Sequence, residues 1–462
     1  MDINTNNISA LVLAAGKGTR MHSQLPKVLH TLLGEPMLAY VLDALKPLFP
    51  KNIRVVIGHQ AEQVRQALQE KVSHFVMQQE QLGTGHALMQ AWPALKAAGM
   101  GYVLVVNGDT PLLHTERISW FIQACRQNSA DLAFMSMTMR DPGSYGRVLR
   151  RSGRVAAVVE AKDYDNLQHG PDSREINLGI YLLRISSIDH LLSKITTDNK
   201  SHEYYITDLV ALAADSGLKV TALDQGEDDA LLGVNTPLEL VRSEENLRRK
   251  LAAAWLSRGA LLRNPHMISI GPRVVLEPGC EITGPCELYG STVVKTGAVL
   301  DSHVWVNNSI IGPRCRVRSF SHLDGARMDE GSDIGPFARL RQGSVLEENA
   351  HVGNFVEMKK TVLGKGAKAG HLAYLGDSEI GPAANIGAGT ITCNYDGKQK
   401  HQTKIGAGAF IGSNAALVAP VQIGDGALVG AGSVITKDVP AESLAVARGR
   451  QQNINKSRRA KD

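Results

Sequence analysis

Residues 13–21 read Leu-Ala-Ala-Gly-Lys-Gly-Thr-Arg-Met, with Pro26-Lys27 a few positions on. Gly16 and Gly18 let backbone amides approach an anion closely, and Lys17, Arg20 and Lys27 add positive charge beside them. Such a loop can hold a polyphosphate, although alone it is equally an ordinary tight turn. Asn107-Gly108-Asp109 ends an apolar run and offers a carboxylate, either at the ligand-binding end of a strand or as part of an Asn-Gly turn. In the second half His371 lies within Lys368-Ala369-Gly370-His371-Leu372-Ala373-Tyr374-Leu375-Gly376-Asp377. A group titrating near neutrality suits general-base work, yet a lone histidine in such a stretch is more often structural.

The elements that must position these residues change character along the chain. Residues 8–14, 53–57 and 102–106 read as short apolar strands, and 36–45 and 60–68 as helices. This alternation predicts a parallel sheet covered on both faces, with ligands at the carboxyl ends of its strands. Thr236-Pro237 with Glu239 forms a helix start, and Gly259 a stop, so 236–259 is expected to be a connecting helix. Beyond it the period becomes six. Ile270, Leu276, Ile282, Leu288, Val294, Leu300 and Val306 form one run, Ile334 to Met358 a second, and Ile405 to Ile435 a third. Neither a helix nor a flat strand repeats every six residues, whereas a solenoid with three hexapeptides per triangular coil does. Residues 393–404 interrupt the repeat with a polar insertion, where function is to be sought. Cys280 and Cys286 fall on neighbouring faces of one coil and read as core residues.

Composition sets outer bounds. The chain has 462 residues, 45 glycines crowded towards its second half, and a formal charge of +5. That charge suits anionic substrates without demanding them. Five cysteines without a CxxC pair argue against a disulfide scaffold and a structural zinc site. With no secretory leader or membrane-length apolar run, the cytoplasm is the expected location, with no membrane partner. The charged tail around Arg458 and Arg459 does not outweigh an expectation of no nucleic-acid partner.

The first loop, Gln78-Gln79-Glu80-Gln81-Leu82-Gly83-Thr84-Gly85-His86-Ala87 and Asn107-Gly108-Asp109 together resemble sugar-1-phosphate nucleotidylyltransferases. The second half adds Phe337-Ala338-Arg339-Leu340-Arg341, Asn354-Phe355-Val356-Glu357-Met358-Lys359-Lys360 and Asn385-Ile386-Gly387-Ala388-Gly389. Across nearly its whole length the chain resembles the family of bifunctional UDP-N-acetylglucosamine pyrophosphorylase/glucosamine-1-phosphate acetyltransferases. The resemblance implies an α/β Rossmann-like uridylyltransferase domain (1–235), a helical linker (236–259) and a left-handed parallel β-helix acetyltransferase domain (260–462). Left-handedness comes from the resemblance alone, since crossover connections are otherwise right-handed.

The same resemblance assigns roles. Leu13, Ala14, Ala15 and Gly16 would contact the nucleotide by backbone, Gln78, Gly83 and Thr84 would read uracil, and Asn107 and Gly108 belong to the same site. Asn107 departs from the family, which often has an aromatic residue there, so its ribose contact stays open. Arg20 and Lys27 would stabilise phosphate charge; Asp109 and Asn235 would hold Mg2+; Gly146, Glu160 and Asn177 would hold the sugar. His371 would be the base of acetyl transfer, with Arg341 and Lys359 on the sugar phosphate and Tyr374 and Asn385 on the sugar. Ala388, Asn394, Tyr395, Ser413, Ala431 and Arg448 would hold acetyl-CoA, although Arg448 near the chain end is equally a solvated charge. The implied substrates are glucosamine-1-phosphate, acetyl-CoA, N-acetylglucosamine-1-phosphate and UTP, used by a homotrimer whose product feeds peptidoglycan and lipopolysaccharide precursors. Two rivals remain at this level: a single-activity nucleotidylyltransferase with a regulatory solenoid, and a non-enzymatic scaffold. His371 and the Cys393-Asn394-Tyr395 insertion speak against the first, and the intact phosphate loop and Asp109 against the second.

Overall fold

The computed structural model describes residues 5–72, 74–169 and 173–454, so the basic tail lies outside the described residues. The chain divides into two compact units, Met1–Glu245 and Asn246–Asp462.

In the first unit strand Ile8–Leu13 lies in the interior of the sheet, parallel to Tyr102–Asn107 on one side and Ile53–Ile57 on the other. Its alternate residues serve two cores: Ala10 and Val12 meet Leu38, Leu42 and Phe121, while Leu11 meets Leu88, Trp92 and Leu95. Both faces are therefore covered, as the unbroken apolar runs require. The sheet is mixed rather than parallel. Strand Glu175–Arg184 runs antiparallel to Tyr102–Asn107 and to Leu132–Thr138. A parallel neighbour needs a long crossover, usually a helix; between Leu132–Thr138 and Glu175–Arg184 lie the hairpin Arg147–Arg151/Arg154–Val159 and only a four-residue helix.

Helix Pro237–Ser257 begins in a reciprocal cap. The Thr236 N–H donates to Glu239 Oε2 (3.0 Å), and the Glu239 N–H to Thr236 Oγ1 (3.2 Å). The division between the units falls inside this helix.

The second unit is a coil of three parallel sheets. Ile270 pairs with Leu288, Leu276 with Val294 and Ile282 with Leu300, each eighteen positions on. None of the six-residue periodic positions is more than 4% exposed. Cys280, Cys286 and Cys315 are free and buried in this core. At the insertion the offset lengthens, and Ile380 pairs with Ile405. One corner carries His303, Phe320, Phe337, Phe355 and Leu372, all with positive φ. The first four stack as a ladder with ring centroids 4.7, 4.8 and 5.4 Å apart.

Candidate active sites

A cleft of about 460 Å³ opens at the carboxyl ends of Ile8–Leu13 and Tyr102–Asn107. Leu13, Ala14, Ala15 and Gly16 form one wall, and Gln78, Gly83 and Thr84 another. Gln78 Nε2 donates to the Gly83 carbonyl (3.1 Å) and lies 3.1 Å from His86 Nδ1. Gly83 has φ +106°, and an added Cβ would lie 2.5 Å from the Tyr204 carbonyl, so only glycine fits against the Tyr204 backbone. Thr84 Oγ1 accepts from the Ile206 N–H (3.1 Å).

The floor of the cleft is charged. Lys27 Nζ makes a short ion pair with Asp109 Oδ2 and donates to Asn235 Oδ1 at 2.8 Å. Arg20 donates to the same Asn235 oxygen at 2.9 Å. Asp109 and Asn235 thus already aim two oxygens at one cationic atom. Among the described residues no three His, Cys, Asp or Glu side chains gather as a metal cage. One carboxylate and one amide suit an ion that takes its remaining ligands from phosphates and water, as magnesium does. Asn107 lines the cleft; Gly108 does not, and instead its N–H donates to the Leu13 carbonyl (2.9 Å).

A smaller adjoining cleft, about 170 Å³, shares Arg20, Asn107, Asp109 and Asn235 and adds Gly146, Glu160 and Asn177. Burial pushes the Glu160 carboxyl up, against the opposing effect of the Thr207 hydroxyl, which donates to it at 3.0 Å. The Asn177 amide donates to Tyr181 Oη (2.6 Å), and its carbonyl accepts from the Gly179 N–H (3.1 Å). Tyr145, unassigned from sequence, also lines this cleft, and its hydroxyl donates to the Gly233 carbonyl (3.3 Å). Burial first, then Glu239 and Asp109, push its phenol up, so it stays a donor.

In the coil the candidates occupy two faces and the corner between them. Asn354, His371 and Asn385 belong to one sheet, and Arg341, Glu357, Lys359 and Tyr374 lie along the next. Phe355 and Leu372 turn the chain between them. Arg341 pairs with Glu357 at 2.9 Å. Lys359 is held below its ordinary range chiefly by Lys400, then by burial and Arg341, with Asp377 opposing. Lys400 comes from the insertion, so the polar excursion brings a further cation to the proposed phosphate site. Asp396 folds that insertion: the Gln399 N–H, then His401 and the Lys398 N–H, bind its carboxylate and together hold it well below the usual carboxylate range. Asn394 donates to Asp377, whereas Tyr395 is exposed and its hydroxyl donates to the Gly397 carbonyl at 2.7 Å.

Ala388, Ser413, Ala431 and Arg448 form a column. The Asn414 N–H donates to the Ala388 carbonyl (2.7 Å), the Gly432 N–H to that of Ser413 (2.8 Å), and the Arg448 guanidinium to that of Ala431 (2.7 Å). Elsewhere on the coil, a groove of about 1000 Å³ lined by Glu347, Glu379, Lys404 and Asp425 contains none of these residues.

Two family models match the chain: the MobA-like NTP transferase domain over residues 10–166, and the bacterial transferase hexapeptide, six repeats, over 402–437. A protein named "Bifunctional protein GlmU" from Nitratidesulfovibrio vulgaris (strain DP4) is 58% identical, over 98% of this chain and 99% of its own length. Proteins of the same name from Oleidesulfovibrio alaskensis and Stutzerimonas stutzeri are 57% and 45% identical, over 99% and 97% of this chain and 100% and 98% of their own.

Proposed function

The chain belongs to the bifunctional GlmU family, and from that premise we propose how its residues divide the work of making UDP-N-acetylglucosamine. The protein is a bifunctional enzyme with uridylyltransferase and glucosamine-1-phosphate N-acetyltransferase activity, built from an α/β Rossmann-like domain and a left-handed β-helix. The observation that carries the residue assignments is the meeting of Lys27, Arg20, Asp109 and Asn235 in one cleft, and of Arg341, Lys359 and Lys400 beside the face that bears His371.

In acetyl transfer, His371 takes a proton from the amine of glucosamine-1-phosphate. The freed nitrogen attacks the thioester carbonyl, the N–C bond forms, the C–S bond breaks, and the proton the nitrogen sheds on becoming an amide passes to the departing sulfur, so coenzyme A leaves as its thiol. Arg341 and Lys359 hold the sugar phosphate, Tyr374 and Asn385 orient the ring, and Ala388, Asn394, Tyr395, Ser413, Ala431 and Arg448 hold acetyl-CoA. In uridylyl transfer the sugar phosphate attacks the α-phosphorus of UTP and pyrophosphate leaves. Lys27 and Arg20 stabilise the accumulating negative charge, Gln78, Gly83 and Thr84 select uracil, and Gly146, Glu160 and Asn177 seat the sugar. Asp109 and Asn235 would hold Mg2+, which when bound offsets repulsion between the two anionic substrates. A cytoplasmic homotrimer binding neither nucleic acid nor membrane belongs to the same reading; among the described residues no helix is long and apolar enough to cross a membrane.

The experiment is to supply glucosamine-1-phosphate, acetyl-CoA, UTP and magnesium and follow each product separately, in the parent and in His371→Ala. Removing a general base is expected to lower acetyl-transfer turnover by about 10²–10⁴, with uridylyl transfer intact. Acetyl transfer within a few-fold of the parent at neutral pH would remove His371 from this role.

A further inference from the structure

His371 has a specific neighbour. Asn354 and His371 are register partners on successive rungs, and His371 Nδ1 lies 2.6 Å from Asn354 Oδ1. A carbonyl oxygen only accepts, so Nδ1 carries the hydrogen and Nε2 keeps its lone pair. The backbone grips the same pair, since the Leu372 N–H donates to the Asn354 carbonyl at 3.1 Å. Their approach depends on the preceding residue: a Cβ on Gly353 would lie 1.9 Å from the Gly370 carbonyl, so any side chain there would force the rungs apart. We propose that Asn354 is a positioning residue for acetyl transfer, fixing His371 in the Nδ1–H tautomer and presenting Nε2 to the amine of the sugar.

This inference rests on the reading of His371 as the base and names what makes the imidazole ready. An amide orients the ring as a carboxylate does, but without placing a negative charge beside it. The structure therefore assigns Asn354 control of tautomer and aim, and leaves the bound substrates to tune basicity.

The test uses the full-length protein with Asn354→Ala, Asn354→Asp and His371→Ala, assayed with glucosamine-1-phosphate and acetyl-CoA across about pH 6 to 9, a span that brackets histidine titration. Asn354→Ala is expected to lower kcat roughly 10- to 100-fold, as loss of an orienting partner does, with KM for both substrates little changed. Asn354→Asp, similar in shape, should recover much of the turnover and move the acid limb of the kcat profile to higher pH. In 15N-histidine-labelled parent, the resonances missing from His371→Ala should report a proton on Nδ1, and Asn354→Ala should shift it towards Nε2. Parent-like kcat and pH profile in both Asn354 variants, or an Nε2–H tautomer in the parent, overturns the proposal. If His371→Ala itself keeps acetyl transfer, the reading of the base fails with it; silent Asn354 variants beside an inactive His371→Ala sink the positioning role alone.

Discussion

Lys27 reaches Asp109 and Asn235 with one ammonium group, so two oxygens and a cation are held together at the floor of the first cleft. Asp109→Ala removes both an ion-pair partner and a proposed metal ligand. Uridylyl transfer should fall by orders of magnitude, while acetyl transfer stays near the parent value. Near-normal uridylyl transfer in this variant would reduce Asp109 to a turn residue. Next to Thr207, which donates to Glu160 of the adjoining cleft, Asp208 opens helix Asp208–Asp215, and burial, followed by Glu160 and Asp163, pushes its carboxyl up to about 6. Unfolded aspartate titrates near 3.9. Between those values the folded state binds more protons, so stability is lost as pH rises from about 4 to 6. Asp208→Asn should stabilise the protein at pH 7 by on the order of 1 kcal/mol, discounted because the group is only partly buried, and by little at pH values below about 4. Urea unfolding at the two pH values decides it, and an equal shift at both would refute the electrostatic cause. The sequence made Asp109 legible through its place after an apolar strand. Asn354, Tyr145 and Lys400 were not singled out, because what matters in each is a partner 17, 88 or 41 positions away.

The capping box at Thr236 shows what local pattern does announce: both reciprocal hydrogen bonds expected from Thr236 and Glu239 are present. Glu239 Oε2 also accepts from the Asn235 N–H at 2.6 Å, so the cap of the helix and the aim of a proposed metal ligand share one carboxylate. Thr236→Ala should cost about 1 kcal/mol of stability, as loss of an N-cap does, with little change in kcat. Glu239→Ala should cost a similar amount and also lower uridylyl turnover. Thermal unfolding beside kinetics separates the two, and equal kinetics would cut the link between cap and site. The six-residue period was equally plain, since each coil repeats the same inward-facing demand. The antiparallel strand Glu175–Arg184 escaped notice because its apolar run looks like that of its parallel neighbours, and direction depends on the length of the preceding connection. The insertion's position was legible as a break in rhythm; its internal fold was not, being set by hydrogen bonds to Asp396.

At the level of the molecule, all proposed uridylyl ligands precede residue 236, so a chain ending at Arg258 should still convert UTP and N-acetylglucosamine-1-phosphate while losing acetyl transfer. A folded truncation without uridylyl transfer would show that the second unit supplies part of the first site. The order of the two halves was readable because their periodicities differ, whereas the lining of each cleft emerged only when distant segments met. The column formed by Ala388, Ser413, Ala431 and Arg448 has a meaning beyond contact. Each step climbs one rung, about 4.8 Å, so the column measures roughly 14 Å along the coil. A β-helix of this kind is a ruler. Adding or deleting one coil would leave the core pattern unbroken, yet it would change by one graduation the span between His371 and Arg448. Spacing along the coil is then an inheritable count of repeats, adjustable by duplication without inventing a new pocket.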